Sequence, residues 1–118
     1  MKRVVITGLG LASCLGNDRA SVSTSLREGR SGIRINPEQI EHGFRSHVAG
    51  RPEVDFEARI DRKLRRFMAD TAAYAYVAMQ DAIADAGLST DAISDPRIGV
   101  IAGSGGGSCA STVEAADL

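Results

Sequence analysis

"RIGVIAGSGGGSCAS", residues 97–111, joins a run of apolar β-formers to a glycine-rich turn. The apolar run, Ile98–Ala102, is typical of a buried β-strand. A similar segment stands near the start of the chain, where the strand-like run Arg3–Thr7 ends at two glycines. Helical segments separate the two runs. The order strand, helices, strand therefore predicts an α/β fold with parallel strands.

Two helices are predicted between these strands. The first begins after Asn17 or Asp18, either of which can cap its N-terminus, and it stops at Gly29. Residues 30–56 have no sustained period and are predicted to be a long irregular excursion. The second helix spans about residues 61–86. Its predicted buried stripe is made mostly of small residues, which allow another backbone to approach closely: Met68, Ala72, Ala75, Met79 and Ala82.

Composition excludes several classes of protein. Of the 118 residues, 43% are hydrophobic and 25% are charged, as in an ordinary globular chain. The net charge of −1 and the lack of tryptophan argue against nucleic-acid and membrane-surface partners. Two cysteines are too few for a disulfide framework or a zinc site. This cysteine usage predicts a cytoplasmic protein without a metal site. No segment approaches the length of a membrane span.

Neither glycine-rich turn completes a known binding or nucleophile motif. Gly8–Gly10 follows a strand, as a dinucleotide fingerprint does, but the third glycine and the later acidic residue are missing. A plain strand-to-helix turn is therefore preferred, and a nucleotide-binding α/β domain stays open as an alternative. The turn at residues 103–108 has neither the Gly-Lys-Ser/Thr of a P-loop nor a Gly-x-Ser-x-Gly elbow.

The cysteines and histidines give no catalytic constellation. Cys109 follows the glycine turn, but no histidine or basic residue stands nearby in the sequence to activate a thiol. Cys14 is interpreted in the same way, as a small, partly buried side chain. His42 and His47 lie in the irregular excursion and are predicted to be exposed or hydrogen-bonded. We therefore assign no catalytic residue within 1–118.

A cluster of positive charge is the sharpest local anomaly. "RIDRKLRRFM", residues 59–68, holds five basic residues against one acid, while the whole chain carries −1. On a helix capped by Asp61, one face presents Arg62, Lys63 and Arg66. The apolar neighbours Leu64, Phe67 and Met68 are predicted to turn inward. Because cations in a first turn oppose the helix dipole, this charge indicates either a solvated face or a surface for an acidic partner.

Six stretches, in order, carry a family resemblance: "MKRVVITGLGLASCLG", "SLREGRSGI", "RSHVAG", "IDRKLRRFMAD", "DAIADAGLS" and "RIGVIAGSGGGS". Together they resemble the N-terminal part of the β-ketoacyl-acyl carrier protein synthases, subtype I. The similarity runs from Met1 to about Ser108, and the last ten residues match less clearly.

The resemblance implies a fold, an activity and partners. The fold is the N-terminal portion of a thiolase-like, five-layer αβαβα arrangement, so residues 1–118 are expected to form part of a domain and to be inactive alone. The activity is elongation of acyl chains in fatty acid biosynthesis, by decarboxylative condensation of malonyl-carrier protein with an acyl-enzyme thioester. The expected partners are acyl carrier protein and a second copy, forming a homodimer. No cofactor is implied, since substrates are carried on phosphopantetheine.

Two site assignments follow from matching positions in the family. Basic residues matching Arg62, Lys63 and Arg66 meet the acidic helix of the carrier protein. The glycine matching Gly106 borders the acyl-chain pocket, which would make the glycine turn a pocket wall. A non-catalytic, chain-length-factor-like ketosynthase partner is the second interpretation of the same resemblance.

Overall fold

The computed structural model describes residues 2–117, which form short helices and one small sheet. In chain order the elements are α1 Arg19–Arg27, β1 Ile33–Ile35, α2 Pro37–Glu41, β2 Val48–Gly50, α3 Phe56–Arg59, α4 Arg62–Arg65, α5 Asp70–Asp85, α6 Thr90–Ile93 and α7 Cys109–Ala116. The mixture of helix and strand agrees with the predicted class, although the strands are not the predicted ones.

Helix α1 forms as its sequence predicts. The carboxylate of Asp18 caps it by accepting the backbone N–H of Ser21 at 2.9 Å, and the Ser21 hydroxyl donates to the same carboxylate. These two hydrogen bonds hold the pKa of the Asp18 carboxyl below its usual range, and the one from the Ser21 hydroxyl has the larger effect. At the other end, Gly29 takes the left-handed conformation, φ +63°, that suits a helix stop.

The predicted irregular excursion contains regular structure. Strands β1 and β2 pair antiparallel, with Ile33 opposite Gly50 and Ile35 opposite Val48. Asn36 caps α2 between them by accepting the backbone N–H of Glu38 at 3.1 Å. The prediction for residues 30–56 was wrong because three-residue strands and a five-residue helix are too short to show a period.

The two predicted parallel strands are not found among the described residues. Neither Arg3–Thr7 nor Ile98–Ala102 pairs with a neighbouring strand. Their apolar side chains face outward instead, with Val4 90% and Ile101 99% exposed. A strand exists only through hydrogen bonds to another strand, and residues 2–117 bring no partner to either segment.

The predicted long helix is divided into α4 and α5. Between them the chain makes a tight connection over residues 66–69, and Ala69 is extended, with φ −66° and ψ 160°. The Arg65 guanidinium donates to the Met68 carbonyl, which holds the connection in a non-helical path. The later end is as predicted, since Gly87 takes φ +64° just after α5.

The apolar core is small and lies on one face of α5. Its buried members are Ile60, Ala73 and Val77, with Phe56 and Met68 packed at its edge. The predicted stripe was therefore wrong in phase, because Ala72, Ala75 and Met79 are exposed while Met68 and Ala82 are half-buried. The buried part of α5 is the face that meets α3 and the residues around Ile60.

A second face of α5 receives the N-terminal segment. A Cβ on Gly8 would lie 2.8 Å from the Cβ of Ala86, and one on Gly10 would lie 2.7 Å from the backbone nitrogen of Ala82. The small residues of α5 thus allow a close backbone approach, as predicted, with residues 8–10 as the partner. The backbone N–H of Leu9 also donates to a carboxylate oxygen of Asp85 at 2.9 Å.

The chain is expanded for its length. Its Cα radius of gyration is 17.3 Å, whereas a compact domain of this size has a radius of about 13.5 Å. Among the described residues, no helix is both long enough and apolar enough to cross a membrane.

Candidate functional site

The basic face of the chain is the exposed surface of Arg62, Lys63 and Arg66. Helix α4 supplies the first two residues, and Arg66 follows its last residue directly. Asp61 caps the helix by accepting the backbone N–H of Lys63 at 2.8 Å, as predicted. The three basic side chains of this face are exposed.

The basic face is anchored on its N-terminal side by Ile60. This residue is 4% exposed and packs against Ala73 and Val77 of α5. The inward turn predicted for the apolar residues on the other side was wrong for two of the three. Phe67 is 88% exposed and Leu64 is also exposed, while Met68 alone of the three packs at the core edge. Because the helix ends at Arg65, the helical phase assumed for Phe67 does not apply.

The five basic residues of the cluster divide into two groups. Arg59 pairs with the Asp81 carboxylate, and Arg65 pairs with Asp70 at 2.6 Å. The remaining three, those of the basic face, make no ion pair within residues 2–117. Two arginines therefore hold α3 and α4 against α5, and three cations are left for solvent or a partner.

A groove runs beside the basic face. It has a volume of about 440 Å³ and is lined by Glu57, Ile60, Arg62, Arg65 and Arg66. Two of the three predicted residues thus meet at one groove, while Lys63 stands outside it. Three arginines and one carboxylate, that of Glu57, line the groove, so its lining is positively charged overall.

The glycine turn lies beside the N-terminal half of α5. A cleft of about 390 Å³ separates the turn from α5, and Gly106 is one of its walls, opposite Ala72 and Ala75. The Ser104 hydroxyl donates to the Gly106 carbonyl at 2.7 Å and closes the turn. The walls are small, uncharged residues, of which Thr71, Ser104 and Ser108 carry hydroxyl groups.

Nothing within residues 2–117 requires glycine rather than another residue at the positions of this turn. None of Gly103, Gly105, Gly106 and Gly107 has a positive φ. A Cβ added to any of them would meet no atom within 4 Å. This is the opposite of Gly10, where a side chain would strike the backbone of α5.

The remaining candidate residues stay apart from both sites. Cys14 is half-buried, and a Cβ added to Gly50 would lie 3.0 Å from its sulfur. Cys109, also predicted to be partly buried, is instead exposed at the first position of α7, because no other element covers the start of that helix within residues 2–117. His42 ends α2, and the backbone carbonyl of His47 accepts the Asn36 N–H at 2.8 Å. Across residues 2–117, no group of three or more His, Cys, Asp or Glu side chains is arranged to hold a metal ion.

The alternative of a nucleotide site at Gly8–Gly10 loses its basis in this geometry. These glycines pack against α5, and the Leu9 N–H that a phosphate would need is already donated to Asp85. A carboxylate at this position would also repel a phosphate.

Comparison with known proteins identifies the family. Residues 1–117 match the family model described as "Beta-ketoacyl synthase, N-terminal domain". The chain belongs to the β-ketoacyl synthase family. This match confirms the resemblance drawn from the six sequence stretches, and membership implies a thiolase-like α/β fold.

Individual relatives in the synthase family agree with this assignment. The chain is 56% identical over 109 residues to 3-oxoacyl-(acyl-carrier-protein) synthase 1 of Escherichia coli, and this region covers 92% of the chain and 27% of the relative. It is 48% identical over 117 residues to the synthase 1 of Haemophilus influenzae, covering 99% of the chain and 29% of the relative. A synthase 2 from Staphylococcus aureus is 39% identical over 109 residues, which cover 88% of the chain and 25% of the relative. The chain spans under a third of the length of these relatives.

Proposed function

We propose that this chain is the N-terminal part of a β-ketoacyl-acyl carrier protein synthase of subtype I. Such an enzyme elongates acyl chains in fatty acid biosynthesis. The family match and the names of the relatives at 48% and 56% identity support the proposal. The observation in the chain itself that carries it is the basic face, whose three cations have no ion-pair partner within residues 2–117 although the chain as a whole is slightly acidic.

The proposed partner of the basic face is an acyl carrier protein. An acidic helix laid along the groove would present carboxylates to Arg62 and Arg66, with Lys63 adding positive charge outside the groove. Complementary charge of this kind mainly accelerates encounter and orients the partner, because exposed ion pairs are individually weak. The exposed Leu64 offers apolar contact to the uncharged side of such a helix.

The proposed role of Gly106 is to leave room for the acyl chain. A glycine usually serves a positive φ or a close contact, and Gly106 has neither in this chain. The adjoining cleft is walled by small residues. A hydrocarbon chain lying along the turn would give the glycine its purpose, since every side chain omitted there adds volume to the pocket.

The proposed chemistry is covalent. The family's catalytic residues have no counterpart among residues 1–118. An acyl group passes from the carrier protein to a cysteine thiolate, which forms a thioester. Malonyl-carrier protein then loses CO₂, and the resulting carbanion attacks the thioester carbonyl and expels the thiolate. No residue of this chain is assigned a catalytic role. Its contribution is to bind the carrier protein and to shape the acyl pocket, and no dissociable cofactor is proposed.

The proposed architecture is an incomplete unit that other chain segments cover. The exposed apolar runs at residues 3–7 and 98–102 have the composition of buried strands but no strand beside them. The expanded radius of gyration supports the same view. We propose that both runs enter a larger sheet of the five-layer arrangement, in a cytoplasmic homodimer.

The direct test is a condensation assay of the full-length protein. Acyl-carrier protein and malonyl-carrier protein are mixed with it, and the 3-oxoacyl product and released CO₂ are measured. We expect one CO₂ for each product formed. A full-length protein that binds carrier protein without forming product would instead be a chain-length-factor-like partner, and the proposed catalytic function would be wrong.

A further inference from the structure

Arg65 differs from the other basic residues of its cluster in the number of groups that hold it. Its guanidinium donates to the Asp70 carboxylate at 2.6 Å and to the Met68 carbonyl. The guanidinium carbon also lies 5.1 Å from the centre of the Phe56 ring, a distance at which a cation is attracted to an aromatic face. Its side chain is only 32% exposed.

The groups around Arg65 are themselves fixed. The Phe56 ring packs edge-on against Tyr74 with centroids 4.9 Å apart. The Tyr74 hydroxyl in turn donates to the Pro52 carbonyl at 3.1 Å. Asp70 is the first residue of α5, the longest helix of the described chain. Arg65 therefore connects α4 to rigid surroundings on α3 and α5.

Helix α4 needs such a connection because it is a single turn. Four residues cannot maintain a helix alone, since the first turn is the costly step of helix formation. Ile60 anchors the N-terminal side in the core. On the C-terminal side, Leu64 and Phe67 are exposed and supply no buried anchor. Arg65 and the Met68 that it holds are the anchors there.

We propose that Arg65 is a positioning residue: its hold on Asp70, the Met68 carbonyl and the Phe56 ring fixes α4 on α5 and so keeps the basic face in one orientation. This inference rests on the proposed function, since orientation matters only if the face binds a partner. If a partner binds only one orientation of the face, its apparent affinity falls with the fraction of molecules that hold this orientation.

Replacing Asp70 distinguishes positioning from simple charge. Asp70→Asn removes a negative charge and frees the Arg65 cation, so a face acting by charge alone would bind an acidic partner more tightly. If Arg65 acts by positioning, the same substitution releases the C-terminal side of α4 and weakens binding. The two explanations therefore predict opposite signs for one variant.

The experiment uses the full-length protein and compares Asp70→Asn with Arg65→Gln, the double variant, and Asp70→Glu as the conservative rescue. With malonyl-carrier protein as substrate, we expect KM to rise about three- to tenfold for both single variants, with kcat little changed. The double variant should be no worse than either single one, because both remove the same connection. Asp70→Glu should return KM close to that of the parent protein. Amide hydrogen exchange over residues 62–67 should accelerate wherever KM rises.

Two results would overturn the inference. A KM that falls or stays constant in Asp70→Asn would show that Arg65 does not orient the face. Faster amide exchange with unchanged KM would show that the orientation of α4 has no bearing on the partner. Reversing the charges of Arg62, Lys63 and Arg66 separates the two proposals. If that reversal raises KM but Asp70→Asn does not, the docking role stands and the positioning role fails; if neither changes KM, both fail.

Discussion

Reversing the charge of the basic face is the sharpest test of carrier-protein docking. The triple variant Arg62→Glu, Lys63→Glu and Arg66→Glu changes the formal charge of the face from +3 to −3. All three side chains are exposed, so the substitutions remove no buried contact. Their expected effect is on association with an acidic partner rather than on the fold.

The magnitude follows from the exposure of these charges. An exposed ion pair contributes about 0–1 kcal/mol, and reversing one member adds a repulsion of similar size. Two of the three residues share the groove, and the third stands outside it. A total of about 1.5–3 kcal/mol is therefore expected, which is a ten- to hundredfold loss in kcat/KM with carrier-protein substrates. The loss should shrink as salt rises, because screening acts over about 8–10 Å at ordinary ionic strength.

The assay compares two substrates that share chemistry but not a docking surface. Acyl-carrier protein carries the acidic helix, whereas an acyl-pantetheine thioester does not, so turnover of the thioester should stay almost unchanged. The matched control reverses three other exposed arginines that make no ion pair within residues 2–117: Arg19, Arg27 and Arg45. This control has the same net charge change on other elements. Equal losses with both substrates, or in both variants, would refute docking at the basic face.

Four further outcomes are expected. In the full-length protein, Gly106→Met should shorten the acyl chains accepted while Gly105→Met has a smaller effect, as judged from the product length profile. Within residues 2–117 a Cβ at either site meets no atom within 4 Å. Gly10→Ala should lower the free energy of unfolding by about 1–3 kcal/mol in a denaturant titration, because its Cβ would strike the backbone of α5. Asp18 has a lowered pKa in the folded chain, so its contribution is present above the ordinary aspartate pKa and is lost as the pH falls through the lowered one; Asp18→Ala should remove that part of the acid dependence of unfolding. The isolated 118-residue chain should form no condensation product and should unfold without a cooperative transition in a thermal scan.

Each of these four predictions has its own contradicting outcome. An unchanged chain-length profile would remove Gly106 from the pocket wall, and full stability of Gly10→Ala would show that α5 can move away from the N-terminal segment. An Asp18→Ala variant with the parent's acid dependence would show that the α1 cap is also formed in the unfolded chain. A monomeric 118-residue chain that melts cooperatively would show that the exposed apolar runs need no cover.

The parts of the fold that the sequence predicts are those decided by neighbours along the chain. The Asp18 cap and the Gly29 stop of α1 depend on residues within one turn, and both form as expected. Strand pairing depends on residues distant in sequence, so a strand-like composition at residues 3–7 could not reveal that residues 2–117 hold no partner strand. The break after α4 arises from contacts of the Arg65 side chain, which a helical period does not register.

The same distinction separates the residues of the candidate site. The sequence places five basic residues in one cluster, helical spacing groups three of them on one face, and a family resemblance alone gives that face a partner. The structure provides an independent reason for the same selection, because Arg59 and Arg65 are paired with carboxylates of α5 while the other three have no ion-pair partner in the described chain. Knowing which charges of a cluster are paired within the protein is more informative than knowing its net charge. The unpaired charges mark the surface that another molecule can contact.

For the glycines, the informative quantity is the space beside each residue rather than its charge. At Gly10 the missing side chain is explained by α5, which occupies the room that a Cβ would need. At Gly106 the corresponding room is empty, and the backbone conformation is one that other residues adopt freely. In the proposed function an acyl chain fills this room, and the alternative is another segment of the protein. A methionine at Gly106 separates these two cases, because a neighbouring protein segment would make the variant unstable, whereas an acyl chain would leave the protein stable and shorten only its products.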